Sequence, residues 1–401
     1  VAITVLGRDR DLAVTGVIDT WTVLDVTLRF NAVGSWSLTV PATDDAASVL
    51  QPGGGVIIVR DGEVLLSGPL EHTAFAWSAE GDDDAGPGTL TLSGGDDLAR
   101  LGGRLVYPDP ARDATDQRQS HFTRRQAAEL LMRDLLRLNA GPDAVRRPHD
   151  RRIPRLMLAP EIGASPRAVL RAQFTPLLDA LRRVAAAGGL GFRLHASDAA
   201  AGIEFEIYQP RDLTGTARFS RSVGNLREVS FTREMPTVNV ALVAGTRDDT
   251  SNNTGSSGGR VIREYRDDAS HATWGVWLET WVDQRGTSDT DALDDAGAQA
   301  LREGAETVEL AATVLDTPTL RYGPDDPAHG IQGYGLGDLV TIEPLPGEQV
   351  AQIVREVRLQ ATPEGGETVT PLVGTEQATT DPTWVSAVAR LDRRLASAER
   401  D

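Results

Sequence analysis

Acidic side chains stand next to one another at Asp44-Asp45, Asp82 to Asp84, Asp96-Asp97, Asp248-Asp249, Asp267-Asp268, Asp294-Asp295 and Asp325-Asp326. Two carboxyl groups fixed on either side of a sugar linkage are what a glycoside hydrolase uses as acid and base. That chemistry requires an enclosed site in which one member keeps its proton. Most of these pairs lie in Gly/Pro-rich stretches where water keeps both groups ionised, so adjacency repeated this often singles out none of them.

Other chemistries are equally short of parts. Asp289, Asp291, Asp294 and Asp295 approach the ligand spacing of a calcium loop but lack its central glycine and closing glutamate. Acids in that order also suit the start of a helix. His72, His121, His149, His195, His271 and His329 show no metal-motif spacing, and there is no cysteine to supply a thiolate. The chain has no lysine, which forbids a Gly-x-x-x-x-Gly-Lys phosphate loop. Trp274, Trp277 and Trp281 offer a stacking platform for a polysaccharide and fit a core or an interface better. No catalytic, cofactor-binding or metal-binding residue is assigned, no cofactor is expected, and the chain reads as a non-enzyme.

The scaffold behind these residues is ample. A chain of 401 residues with 40% hydrophobic and 24% charged side chains supports two to four globular domains. No apolar run approaches the ~18 residues of a membrane-spanning helix, and Val1 to Arg10 lack the apolar stretch of a secretion signal. A net charge of −18 disfavours a surface that grips nucleic acid, because such affinity rests on neutralising phosphates.

Residues 1–104 alternate as strands. Leu24, Val26, Leu28 and Phe30 precede a turn at Asn31 to Ser35, and Trp36, Leu38 and Val40 follow it. Asp61-Gly62 between Val59 and Val64 predicts a two-residue hairpin turn. Residues 105–225 carry helix signals. One helix is expected over Arg124 to Leu138, with Thr123 as cap and Gln126 three places on. A second is expected from Pro176 to Gly188, followed by strands Gly191 to His195 and Ile203 to Tyr208. Residues 226–378 return to strands, with a polar loop from Thr246 to Gly259 expected to be mobile and a helix expected from Asp291 to Ala312.

A pattern recurs. Val56 to Val59, a turn, Val64 to Gly68, a long strand, an acidic glycine-rich loop and Leu90 to Leu92 reappear as Leu339 to Ile342, Pro346-Gly347, Ala351 to Ala361, Pro363 to Gly366 and Thr368 to Leu372. Duplication of one β-module and chance similarity between meanders both account for this. Residues 379–401 read as a C-terminal helix, with Val388, Leu391 and Leu395 at coiled-coil spacing that fits a trimeric stalk or a docked helix equally.

The order of Phe30-Asn31-Ala32-Val33-Gly34-Ser35-Trp36, the helix through Leu177 to Leu190, Leu278-Glu279 with Asp283 and Arg285, and Tyr334-Gly335-Leu336-Gly337-Asp338-Leu339-Val340 resembles the hub proteins of bacteriophage tails and baseplates. The resemblance extends to the first part of tail-associated lysins. It singles out Gly337, Asp338 and Val340 as a structural motif and implies a mainly β, α+β fold. That fold would comprise two tube-type β-barrel-like domains (1–104 and 226–378), an inserted small α+β domain (105–225) and the C-terminal helix. It further implies a homotrimeric tail-tip ring in the virion, assembled in the host cytoplasm. The ring would have a tail tube or distal tail protein above, tip, fibre or spike proteins below, and a tape measure protein and DNA in transit, without specific binding, in its channel. A hub of a contractile injection system and a cell-wall polysaccharide hydrolase are the competing readings.

Overall fold

The computed structural model describes residues 2–42, 51–77, 88–146, 149–163, 165–197, 202–246 and 260–374. It is mainly β with few helices. The described residues form two compact units, one built from 2–229 with 312–374 and the other from 230–311.

The first unit opens with β1 (Ile3–Arg8), β2 (Val14–Ile18), β3 (Val23–Arg29), β4 (Ser35–Pro41), β5 (Gly55–Arg60), β6 (Glu63–Pro69), β7 (His72–Ala76) and β8 (Thr89–Gly95). The period-2 pattern of β3 and β4 translates directly into burial, with Leu24, Val26, Leu28, Trp36, Leu38 and Val40 all inside. The β5–β6 turn takes the conformation that Asp-Gly favours, with φ of 52° at Asp61 and 89° at Gly62. Strands β2, β1, β5 and β6 make a four-stranded sheet in that order.

The next segment carries β9 (Leu105–Val106), β10 (Phe122–Ala127), the helix Ala128–Asn139, β11 (Leu156–Leu158), β12 (Arg167–Ala172), β13 (Thr175–Pro176), the helix Leu177–Gly188, β14 (Gly191–Ala196) and β15 (Ile203–Tyr208). The first helix therefore starts four residues later than its capping signal suggests. Residues 122–127 instead pair in register with β12, Thr123 opposite Arg171 and Arg125 opposite Val169, and the helix start is met by Ser165, whose Oγ accepts the Glu129 N–H at 3.0 Å. Alternation within Phe122, Thr123, Arg124 and Arg125 gave strand pairing one buried face, which outweighed a cap worth about 1 kcal/mol. The second helix starts at Leu177, one residue later than expected, because Thr175 and Pro176 pair with β9, and it ends on Gly189, whose φ of 63° makes it a left-handed stop. Both helices pack on one core with Phe122, Leu170, Phe192, Phe205 and Ile207.

Strands β16 (Arg218–Ser220) and β17 (Leu226–Glu234) lead into the second unit. There β18 (Val240–Thr246), β19 (Arg260–Arg266) and β20 (Glu279–Gln284) form a sheet in the order β19, β18, β20, and the helix Thr290–Glu303 packs on it. A Cβ on Gly297 would stand 2.2 Å from the Tyr265 ring, so glycine there sets the approach of helix to sheet. This helix ends well before the expected Ala312. Gly304 lies against Val238, and Val308 and Leu310 belong to β21 (Thr307–Val314), where they alternate rather than follow a helical stripe. The loop expected to be mobile falls, at 247–259, outside the described residues.

The chain re-enters the first unit through the end of β21 and continues with β22 (Leu320–Tyr322), β23 (Gln332–Tyr334), β24 (Leu339–Glu343), β25 (Val350–Thr362) and β26 (Gly366–Gly374). A single large sheet runs β7, β8, β4, β3, β25, β26, β21, β17, with β24 beside β25 and β16 beside β24. The repeated pattern is divided between two sheets, with β5 and β6 in the four-stranded sheet and β24 and β25 in the large one. Strand β5 pairs with β6 as β24 pairs with the start of β25, and β7 pairs with β8 as the rest of β25 pairs with β26. The sheet thus reads as two four-strand modules in tandem, β7-β8-β4-β3 and β25-β26-β21-β17. They are joined where β3 meets β25 over six residue pairs, Leu24–Arg29 against Glu356–Ala361.

Candidate assembly interface

The two faces of the large sheet differ sharply. Val357, Leu359 and Ala361, then Leu24, Val26 and Leu28, then Trp36, Leu38 and Val40, then Leu92 form one buried apolar face by register. The other face presents Asp25, Thr27, Ser35, Ser37, Thr39, Thr89, Thr91 and Ser93, continued by Arg358, Gln360, Thr368 and Thr370. Its charges are matched within the face. Arg29 and Arg358 both bind Glu356, at 2.8 and 2.6 Å, and the Gln360 amide donates to Asp25 at 2.7 Å. What remains is a hydroxyl-rich, water-compatible surface with little unpaired charge.

Among the described residues, no strand pairs with the outer edge of β7 or of β17 in the same sheet. All five residues of β7 are exposed, and Phe75, which continues the apolar face, is 63% exposed, with Trp77 just beyond it at 56%. An uncovered strand of this kind is a template for pairing with another chain. At the opposite edge β17 presents a mostly exposed strand with Val229 and Phe231 partly buried.

The structure gives the Gly337, Asp338 and Val340 motif a structural role. Gly337 has φ of 85°, and a Cβ there would lie 2.3 Å from the Phe30 ring. Asp338 is buried, and its two carboxylate oxygens accept from the Arg211 backbone N–H at 2.8 Å, the Arg211 guanidinium at 2.8 and 3.1 Å, and the Gly335 N–H at 2.9 Å. Val340 is fully buried in β24. The motif therefore ties the start of the second module to the segment after β15.

A second polar cluster joins the first module to the inserted helical segment. Arg8 and Asp97 form a bidentate pair at 2.8 and 2.6 Å with almost no solvent access, and Ser67 Oγ donates to Asp97 at 2.6 Å. The Ala196 N–H donates to that Ser67 oxygen at 2.7 Å. Burial opposes the charge on Asp97, yet the Arg8 hydrogen bonds hold its carboxyl below the ordinary range. Its neighbour Asp96 accepts only backbone N–H groups, from Gly34 and Leu98, and burial pushes it up to about 7. Close by, His195 contacts the Ala196 carbonyl at 2.9 Å and Glu206 at 3.3 Å. Both partners can only accept, so the ring satisfies both when it carries both protons. Burial works against that charge, but the Glu206 hydrogen bond raises the imidazole, and in return His195 foremost holds Glu206 down at about 2. Asp96, Arg193, His195, Glu206, Tyr208 and Asp338 line a cavity of about 530 Å³ in this unit.

The remaining acidic pairs do structural work. Asp267 and Asp289 accept N–H groups at the starts of the helices that follow them, and Asp326 caps the short turn at Pro327–His329. Asp294 binds Arg263 and Tyr265, and Asp325 takes the Gly333 N–H and Arg211. Asp44, Asp45, Asp82 to Asp84, Asp248 and Asp249 lie outside the described residues, as do Val388, Leu391 and Leu395. Among the described residues no group of three His, Asp or Glu side chains could hold a metal ion. Trp277 stacks on His271 at 3.9 Å and Trp274 donates to Glu306, so the three tryptophans do not share one stacking role. Sequence reasoning missed Arg8, Ser67 and Arg211, whose partners lie far away in the chain, and the pairing of His195 with Glu206 across the β14–β15 hairpin.

The family model described as Siphovirus ReqiPepy6 Gp37-like protein matches residues 3–375. The 43 kDa tail protein of prophage MuSo2 from Shewanella oneidensis is similar in structure, with a TM-score of 0.50, 13% identity, and 92% of this chain and 97% of that one covered. At that identity the likeness is one of fold. A tail protein from Neisseria meningitidis MC58 aligns with a TM-score of 0.49 and 15% identity over 94% and 97% of the two chains. Prophage tail protein gp18 from Listeria monocytogenes EGD-e aligns with 0.48 and 11% over 98% and 99%. No curated protein matches the chain.

Proposed function

The chain belongs to the Siphovirus ReqiPepy6 Gp37-like family, and from that premise we propose that it is a non-enzymatic structural subunit of a phage tail, a tail-tip hub that closes into a homotrimeric ring. The observation that carries this reading is the tandem strand order with its two open edges. Inside the chain, β25 of the second module pairs with β3 of the first. By position in the repeat, β7 is the counterpart of β25, and β17 the counterpart of β3. The same junction made between copies joins β7 of one to β17 of the next. Three copies then supply six modules, the number that a hexameric tail tube above them requires.

Ring closure of this kind removes both exposed edges and covers Phe75, as closed β structures do. It leaves the hydroxyl-rich face as the wall of a channel, where paired charges and an overall −18 per chain keep a passing genome from adhering. A tail tube or distal tail protein above, tip, fibre or spike proteins below and a tape measure protein within are the partners this reading requires. Placement at the virion tail tip follows from it.

The chain has no cysteine, so introduced thiols report cleanly. Single cysteines placed pairwise, at Thr73, Ala74 or Phe75 in β7 and at Arg227, Glu228 or Val229 in β17, are expected to give disulfide-linked trimers on oxidation for at least one pairing. Dimers linked only between identical positions would refute the ring.

A further inference from the structure

The chain is acidic overall, but its charge is unevenly divided. Residues 104–196 hold seventeen of the forty arginines and only nine of the fifty-eight acids. Several of these arginines pair with a nearby carboxylate: Arg112 with Asp109 and Asp116, Arg124 with Asp134, Arg133 with Glu161, Arg152 with Asp150, and Arg193 with Glu206.

Three others do not. Strands β10 and β12 form a two-stranded ribbon whose inner face, Phe122, Ala168, Leu170 and Ala172, is buried over the helices. Its outer face carries Thr123 opposite Arg171, Arg125 opposite Val169, and Ala127 opposite Arg167. Arg125, Arg167, Arg171 and Val169 are all exposed, Val169 by 64%. Among the described residues no carboxylate lies within ion-pair distance of these three guanidiniums, and the one side-chain contact is Arg171 with His121 at 3.3 Å. Nearby acids are committed elsewhere, Asp134 to Arg124 and Gln126, and Glu129 to the N–H groups of Ile162 and Gly163. Directly opposite strand positions lie about 5 Å apart and alternate positions about 7 Å. Val169 is therefore ringed by three cations that repel one another and that nothing within the unit neutralises.

We propose that the outer face of the β10–β12 ribbon is a docking surface for an acidic polypeptide segment of another protein, one that sets an apolar side chain on Val169 and carboxylates on Arg125, Arg167 and Arg171. An apolar centre rimmed by arginines has the anatomy of a protein interface, where Arg is enriched and pairs with carboxylates through two parallel hydrogen bonds. A phosphate backbone would leave Val169 without a partner. This surface stands apart from the sheet edges and does not depend on ring closure.

The test is a titration of the full chain with two probes at low salt, a peptide of alternating glutamate and leucine and a DNA duplex of similar charge. The peptide is expected to bind, more weakly as salt is added. The triple variant Arg125→Glu, Arg167→Glu, Arg171→Glu should weaken binding by about tenfold or more, and the corresponding triple glutamine variant by less. Arg146→Glu with Arg183→Glu, outside the ribbon, should change it little, and circular dichroism should show every variant folded. DNA binding as tight as that of the peptide, peptide binding indifferent to the triple variants, or no peptide binding by the wild type would each overturn the proposal.

Discussion

Arg8 and Asp97 are buried together, and breaking such a pair by removing one partner costs about 3–5 kcal/mol. Asp96, one residue earlier, is held by backbone N–H groups alone and titrates near 7 rather than near 4. A carboxyl raised by folding keeps its proton longer in the folded state than in the unfolded one, so its stability contribution falls as pH rises from about 4 to 7. Asp96→Asn removes that titration. Its melting temperature relative to wild type should rise between pH 5 and pH 8, measured by calorimetry at both values, and a gap independent of pH would contradict the assignment. Gly337→Ala meets both a left-handed backbone and the Phe30 ring, and chemical denaturation should show a loss of about 2 kcal/mol or more.

Strands with one buried face were legible from the sequence, because alternation in Leu24 to Phe30 and Trp36 to Val40 is itself the signature of a half-buried sheet. The recurring pattern rests on the same alternation, but its earlier half, Val56 to Gly68, lies in the four-stranded sheet and its later half, Leu339 to Leu372, in the large one. Helix starts were less so. The Thr123 and Gln126 signal is local, whereas the pairing of 122–127 with 167–172 depends on a partner some 45 residues away. Nor does the strand pattern of 226–378 mark where residues 230–311 gather into a unit of their own. The polar junctions at Asp97 and Asp338 were invisible, since each depends on side chains brought together from distant segments. At this scale the ring reading makes a sharp prediction about β7. Phe75 is exposed in the single chain, so Phe75→Asp should leave thermal stability within about 0.5 kcal/mol of wild type while preventing association. Sedimentation of the variant beside the wild type checks both halves of that statement.

Across the whole molecule, one sheet carries two modules, an apolar face turned inward, a neutral hydroxyl face turned outward, and two edges left unpaired. Stable single chains cover or blunt such edges, and among the described residues nothing does so on β7. Closure by further copies accounts for the exposed strand, the exposed aromatic ring and the tandem order together. The most direct test is the mass of the purified full chain in solution, with its symmetry in electron micrographs. A ring of three copies with a central channel is the predicted result, and a chain that stays monomeric at high concentration would contradict the account.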